Sequence, residues 1–240
     1  MHSESENAPI ETRPRVLAII PAYNPGEALI SVISGLEEFF RRENILVVND
    51  GSDAGFFPEI PGGTPVLNHD YNRGKGVALR SGFDFALENG YDAVLTIDAD
   101  MQHPPELAGN FLERMQNSGC DIVIGNRMSD LSRMPLQRRF SNRTTSFFVG
   151  LWTGRRIPDS QCGYRLIKSR ILRGADLRVD RYQTETELIL EAARLGGRFE
   201  FVDIPTIYNE SESNISALRE TLNYIALMVS HPFRKSRRSK

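Results

Sequence analysis

Apolar and amphipathic stretches alternate along this chain with the two periods that strands and helices require. Val16–Ile20 is an unbroken apolar run stopped by Pro21, the pattern of a strand buried on both faces. Gly26–Arg42 follows, with Leu29, Ile30, Ile33, Leu36, Phe39 and Phe40 at helical spacing. Ile45–Val48 is a second strand ending at the turn signal Asn49-Asp50-Gly51-Ser52, and Pro65–Leu67 a weaker third. Gly76–Asn89 predicts a helix that turns Val77, Leu79, Phe83 and Leu87 inward. Ala93–Ile97 predicts a fourth strand, Pro104 and Pro105 open a helix ending near Ser118-Gly119, and Ile122–Ile124 predicts a fifth strand. Beyond it the pattern is less regular. Helices are expected over Leu136–Thr153, Glu185–Leu195 and Asn214–Val229, with extended segments over Ser160–Lys168 and Phe199–Val202.

Strands alternating with helices of this length imply an α/β fold, a mostly parallel sheet flanked by helices. No repeat or low-complexity linker divides it, so one domain is expected over 15–230. A polar tail expected to be disordered precedes it over 1–14, and a basic tail follows over 231–240. The 240 residues carry a formal net charge of −2, which gives no general attraction to nucleic acid. Residues 1–15 have no apolar core and so do not read as a signal peptide, which points to the cytoplasm. No apolar run approaches the roughly 20 residues that span a bilayer; 147–152 and 224–229 read as short helical or core pieces. Cys120 and Cys162 lie far apart, outside any metal-ligand spacing, and read as buried thiols.

In parallel sheets, ligands bind outside the carboxyl ends of the strands. Polar clusters stand at four such ends: Tyr23-Asn24, Asn49-Asp50, Asp98-Ala99-Asp100 and Asn126-Arg127. Two carboxylates one residue apart after an apolar strand either form a turn or share a hard cation such as Mg²⁺, with phosphate and water completing its shell. Asn72-Arg-Gly-Lys-Gly76 precedes a helix without the Walker spacing. It is either plain turn chemistry or a loop in which Arg73 or Lys75 meets phosphate.

Taken in order, Ile20-Pro-Ala-Tyr-Asn24, Val47-Val-Asn-Asp-Gly-Ser52, Asn72-Arg-Gly-Lys-Gly76, Asp98-Ala-Asp-Met-Gln-His-Pro-Pro105, Gly125-Asn-Arg127 and Asp159-Ser-Gln-Cys-Gly-Tyr-Arg165 resemble the family 2 glycosyltransferases of GT-A fold. The similarity runs from about Val16 to Ser216 and is greatest to the branch that glycosylates dolichyl and polyprenyl phosphates of the cell envelope. The resemblance implies a GDP- or UDP-hexose donor, with Pro21, Tyr23 and Asn24 along the nucleotide and Asp50 on its base or ribose. It further implies Mg²⁺ or Mn²⁺ on Asp98, Asp100 and Gln102, and Arg127 at the donor diphosphate or acceptor phosphate. Arg138 or Arg139 with Ser141 are the implied acceptor residues, and Asp159 stands near them. A lipid-phosphate acceptor needs positioning more than a base. A hydroxyl acceptor on a glycan, small molecule or other lipid would need one, for which Asp159 is the candidate.

Two departures bear on the acceptor. Residues 209–214 hold no Lys or Arg where the lipid-phosphate branch has basic residues, and the membrane-spanning extension of many relatives is missing. The Gln-x-x-Arg-Trp signature of processive synthases is also absent. The amphipathic 214–229 helix and the basic 231–240 tail suggest instead a peripheral contact at the inner face of the membrane. A sugar nucleotidyltransferase would carry a glycine-rich loop where Pro21-Ala-Tyr-Asn24 stands, and a binding-only module would not need to hold a catalytic cation.

Overall fold

The computed structural model describes residues 14–131, 134–180 and 183–207. The tail over residues 1–13, the 214–229 helix and the basic end lie outside the described residues. Seven strands form one sheet: β1 (Val16–Ala22), β2 (Ile45–Asn49), β3 (Val66–Asn68), β4 (Ala93–Thr96), β5 (Ile122–Asn126), β6 (Arg165–Lys168) and β7 (Phe199–Asp203). Their order is β3-β2-β1-β4-β6-β5-β7. β6 runs antiparallel to both its neighbours, while every other pairing is parallel. The mostly parallel α/β sheet expected from the alternation is therefore present.

Central strands are continuous apolar runs because both faces are covered. Leu17, Ile19, Ile20, Val94, Leu95, Ile122 and Val123 are fully buried. Six α-helices are found among the described residues: α1 (Ala28–Leu36), α2 (Lys75–Glu88), α3 (Ala108–Ser118), α4 (Leu136–Thr153), α5 (Ser169–Gly174) and α6 (Thr184–Arg194). Close packing depends on glycine at several contacts, among them one on α2 and one on α1. A Cβ on Gly82 of α2 would stand 2.8 Å from Ile19 Cγ2, and one on Gly35 of α1 would stand 2.3 Å from Pro105 Cγ.

The elements differ from the sequence pattern in four places. α1 stops at Leu36, whose carbonyl accepts from both Phe39 and Phe40, so the last turn tightens before Arg42. Pro104-Pro105 opens a 3₁₀ turn over Pro105–Leu107, and α3 starts only at Ala108. α5, with six residues, is too short to show a period. The largest difference is α4: the 147–152 stretch is helical as expected and buries Val149, but Phe147 and Leu151 are 66% and 71% exposed.

The parallel strands bring the carboxyl ends of β1, β2, β4 and β5 to one edge of the sheet. That edge carries the polar clusters read from the sequence.

Candidate active site

A cleft of about 650 Å³ opens at this edge. Pro21, Tyr23, Asn24, Asp50, Arg73, Lys75, Asp98, Ala99 and Asp100 all line it. Asn24 sits in the left-handed region, φ 49°, where its short amide can bond locally. Its Nδ2 donates to Asp53 Oδ2 at 2.8 Å, and its Oδ1 accepts from the Asp53 amide at 2.8 Å. This reciprocal pair ties the loop after β1 to the loop after β2. Asp53 was not singled out by sequence.

Asp50 lines the cleft and also reaches into the loop before α2. Its carboxylate is almost wholly buried and accepts from the Arg73 amide at 3.0 Å and the Gly74 amide at 2.8 Å. His69 Nδ1 lies 2.7 Å from its Oδ1, and His69 Nε2 lies 3.0 Å from Ser81 Oγ. Asp50 therefore fixes the 72–76 loop against the sheet. Gly74, at φ 98°, adopts a backbone conformation that a side chain would oppose. Gly76's amide is given to the Asp180 carbonyl, so the Arg73, Gly74 and Gly76 amides all have acceptors within the protein.

Lys75 Nζ sits between two carboxylates, 2.6 Å from Asp98 Oδ1 and 2.7 Å from Glu185 Oε1. Burial would drive its proton off, but Asp98 and Glu185 outweigh that and raise its pKa above the ordinary lysine value. Asp98 is likewise penalised by burial, yet Lys75 and His103 hold its pKa below the usual carboxylate range. Asp100 goes the other way: burial and the Asp98 charge raise it. Two carboxylates that repel each other at the mouth of a cleft are poised to take up a cation. Asp100 Oδ1 accepts from the Gln102 amide at 3.0 Å, across a turn in which Met101 adopts φ 58°. Burial pushes the His103 imidazole down to about 4 even beside Asp98, so it stays neutral at working pH.

Space around Asp98 is fitted closely. A Cβ on Gly163 would stand 2.9 Å from Asp98 Oδ2 and 3.1 Å from Lys75 Nζ. The Gly163 carbonyl is held in turn by Thr96 Oγ1 at 2.7 Å. Glu185 reads in the sequence only as a helix start, yet it is buried and its Oε2 has no hydrogen-bond partner.

Gln102, Arg127, Arg138, Arg139, Ser141 and Asp159 do not line the cleft. Arg127 and Asp159 form a second cluster. Arg127 Nε and Nη2 meet Asp159 Oδ2 and Oδ1 at 2.8 and 3.0 Å, and its amide adds a third bond at 3.2 Å. Asn142 Nδ2 and the Gln161 amide also donate to Asp159 Oδ1, at 2.7 and 3.2 Å. Burial alone would raise this carboxyl, but the Arg127 charge and these bonds hold it at about 2. A carboxylate so committed is a poor proton acceptor.

Arg139 is turned into the preceding loop, with Nε donating to the Met134 carbonyl at 2.7 Å and Nη2 to that of Leu131. Ser141 faces inward from α4, where its carbonyl accepts from Thr145 Oγ1. Arg138 stands on the exposed side. The structure thus separates Arg138 and Arg139. Cys120 and Cys162 are both free and buried, and burial pushes the Cys162 thiol up to about 12.

Comparison with known proteins adds independent findings. The family model for glycosyl transferase family 2 matches residues 17–174. An undecaprenyl-phosphate mannosyltransferase of Micrococcus luteus is 32% identical over 211 residues, covering 82% of this chain and 85% of the relative. A UDP-N-acetylglucosamine–dolichyl-phosphate N-acetylglucosaminyltransferase of Methanococcus voltae is 29% identical, covering 81% and 86%. The fold matches that of glucosyl-3-phosphoglycerate synthase from Mycobacterium tuberculosis, solved with Mn²⁺, UDP-glucose and phosphoglyceric acid. That match has a TM-score of 0.72 at 18% identity, over 93% of this chain and 81% of that one.

Proposed function

This chain belongs to glycosyl transferase family 2, and from that premise we propose that it transfers a hexose from GDP or UDP to a polyprenyl phosphate, with inversion and with Mg²⁺ or Mn²⁺ as cofactor. The observation that carries this reading is the division of labour among its carboxylates. Asp98 and Asp100 face an open cleft, whereas Asp159 is fully buried and bound by Arg127 and Asn142.

The residues around Asp98 fit a small hard cation. Among the described residues no three His, Cys, Asp or Glu side chains converge to hold a metal unaided. Two carboxylates, completed by donor oxygens and water, are what Mg²⁺-type sites use. The Lys75 ammonium at 2.6 Å already shows Asp98 accepting positive charge. Asp98 and Asp100 would hold the ion, with Gln102 beside them, and the bound ion would offset charge developing on the departing diphosphate. On this reading Arg73 and Lys75 bring further positive charge to the diphosphate, and Pro21, Tyr23 and Asn24, which line the same cleft, hold the nucleoside.

A lipid phosphate attacks the anomeric carbon with an oxygen that carries no proton, as the bond to the nucleoside diphosphate breaks. No base is required. Arg127, oriented by Asp159, neutralises the attacking phosphate. The relatives named above act on undecaprenyl and dolichyl phosphates, which supports this acceptor over a hydroxyl. On this reading the reaction belongs at the inner face of the membrane.

The test incubates the enzyme with GDP- and UDP-hexoses and a polyprenyl phosphate, with Mn²⁺, Mg²⁺ or EDTA, and identifies the product by mass spectrometry and anomeric NMR. A glycosyl phospholipid of inverted configuration, formed only with the metal, is the expected result. Transfer to hydroxyl acceptors alone, or transfer indifferent to EDTA, contradicts it.

A further inference from the structure

Glu185 is a buried acid that the transfer scheme above does not use. It lies in the first turn of α6, is 5% exposed, and does not line the cleft, although its partner Lys75 does. Its backbone is pinned. The buried Arg165 guanidinium of β6 donates to the Glu185 carbonyl. The starts of α6 and α2 are packed so closely that a Cβ on Gly76 would stand 2.2 Å from Thr184 Oγ1. Arg80 of α2 also donates to the Val179 carbonyl and the Asp180 carboxylate, just before α6. Of the two carboxylate oxygens of Glu185, Oε1 lies 2.7 Å from Lys75 Nζ and Oε2 has no hydrogen-bond partner. A buried carboxylate oxygen without a donor is costly, so its presence calls for a reason.

Charge supplies one. Lys75, Asp98, Asp100 and Glu185 amount to one ammonium and three carboxylates, a formal excess of two negative charges that a single divalent cation balances. Lys75 Nζ stands 2.6 Å from Asp98 Oδ1, so the ammonium and a divalent cation compete for the same carboxylate. Without Glu185 the ammonium would lean wholly on Asp98, and the negative excess would fall to one. With Glu185 the ammonium is held from two sides, and Asp98 can release it without stranding a buried charge. Glu185 Oε2 is open to the N–H that Asp98 gives up. The flexible four-carbon stem of Lys75 allows that short shift, whereas Glu185 is held in place by Arg165 and the contact between α2 and α6.

We infer that Glu185 is a positioning residue that receives the Lys75 ammonium as Asp98 takes a divalent cation, and so sets the affinity of Asp98 and Asp100 for that cation. The inference rests on the cation reading of the cleft, but the two fail separately. Cation affinity should follow the charge of the four-residue group. Lys75→Met removes the competitor and raises the negative excess, so it should bind a cation more tightly than wild type. Glu185→Gln leaves Lys75 on Asp98 alone and should bind more weakly. The two substitutions together restore the wild-type excess without a competitor, and should bind at least as tightly as wild type.

The experiment measures Mn²⁺ binding to the full chain by electron paramagnetic resonance of the unbound ion, with Mn²⁺ alone and with UDP or GDP added. Glu185→Gln should weaken binding on the order of tenfold, and Lys75→Met should tighten it by a similar factor. The double substitution should reverse the loss seen in Glu185→Gln. No Mn²⁺ binding by wild type in any mixture, or binding that survives in Asp100→Ala, overturns the cation reading and this inference with it. Binding that Asp100→Ala abolishes but Glu185→Gln leaves unchanged overturns this inference alone. So does a double substitution as weak as Glu185→Gln, because Glu185 would then act through packing and not through Lys75. If Glu185→Gln does not fold, Lys75→Met decides: an unchanged or weaker affinity for Mn²⁺ overturns the inference.

Discussion

α2 and α4 both contribute to the functional edge of the sheet, and they bury opposite kinds of side chain. α2 delivers Lys75 from its first turn and turns Ala78, Leu79, Phe83 and Ala86 inward against the apolar sheet. α4 delivers Asn142 from its middle and turns serine, threonine and asparagine inward, because what lies beneath is the ionised Arg127–Asp159 pair and Ser160. Hydrophobic periodicity thus locates a helix in both places but orients it in only one. The inward face of a helix matches whatever it covers, and a buried charge pair calls for hydrogen-bond donors rather than methyl groups.

Substitutions can break or sharpen this contrast, beginning with the ion pair under α4. Arg127→Ala leaves the Asp159 carboxylate buried without its counter-ion and should cost about 3–5 kcal/mol of stability. That is as much as removing a core aromatic such as Phe83 on the inner face of α2. Urea unfolding of the two variants measures both, and a loss under about 1 kcal/mol for Arg127→Ala would mean that α4 does not depend on the pair.

Asp100→Ala should behave in the opposite sense. Turnover should fall about 10²–10³-fold, while the melting temperature holds or rises, since a repulsion with Asp98 is relieved. Steady-state kinetics beside calorimetry separates the two effects.

Acid titration reports on the Asp159 side. Its carboxyl lies at about 2 against an ordinary 3.8, so the folded state binds the proton less readily than the unfolded chain. The stabilisation is complete above the ordinary value and is lost as pH falls towards 2, amounting to about 2 kcal/mol. Asp159→Asn should remove that acid-range dependence, and wild-type kcat/KM should show no titration of this group near neutral pH.

Gly163→Ala is a test of fit alone, because its methyl group would press on the Asp98 carboxylate and the Lys75 ammonium. Donor affinity should weaken by about 1–3 kcal/mol in titration calorimetry. The smallest effect is expected on the outer face of α4: Phe147→Ala should change stability by less than about 0.5 kcal/mol. Its counterpart Phe83→Ala, on α2, is among the largest.

The same contrast explains how much of the molecule was legible beforehand. Strand-end reasoning needs only an apolar run and the residue after it, so Asn24, Asp98 and Asp100 could be placed at one edge without coordinates. Direction within the site was harder. Asp50 sits at a strand end as expected, but its carboxylate turns into the 72–76 loop, where it accepts from two backbone amides. Glu185 escaped notice because an acid in the first turn of a helix is ordinary at a surface, and only tertiary structure shows it buried against Lys75. For α4, the period of the apolar residues was visible, but which face met the protein depended on a pair joined across 32 residues.

The central claim is that the cleft holds a nucleoside diphosphate through a cation shared by Asp98 and Asp100. It is tested most directly by calorimetric titration of wild type and Asp100→Ala with UDP and with GDP, each in Mn²⁺ and in EDTA. The account predicts that one nucleotide binds wild type with Mn²⁺ at least about tenfold more tightly than with EDTA, and that Asp100→Ala loses this difference. Equal affinity with and without Mn²⁺ in wild type, or a metal effect that survives in Asp100→Ala, would contradict it.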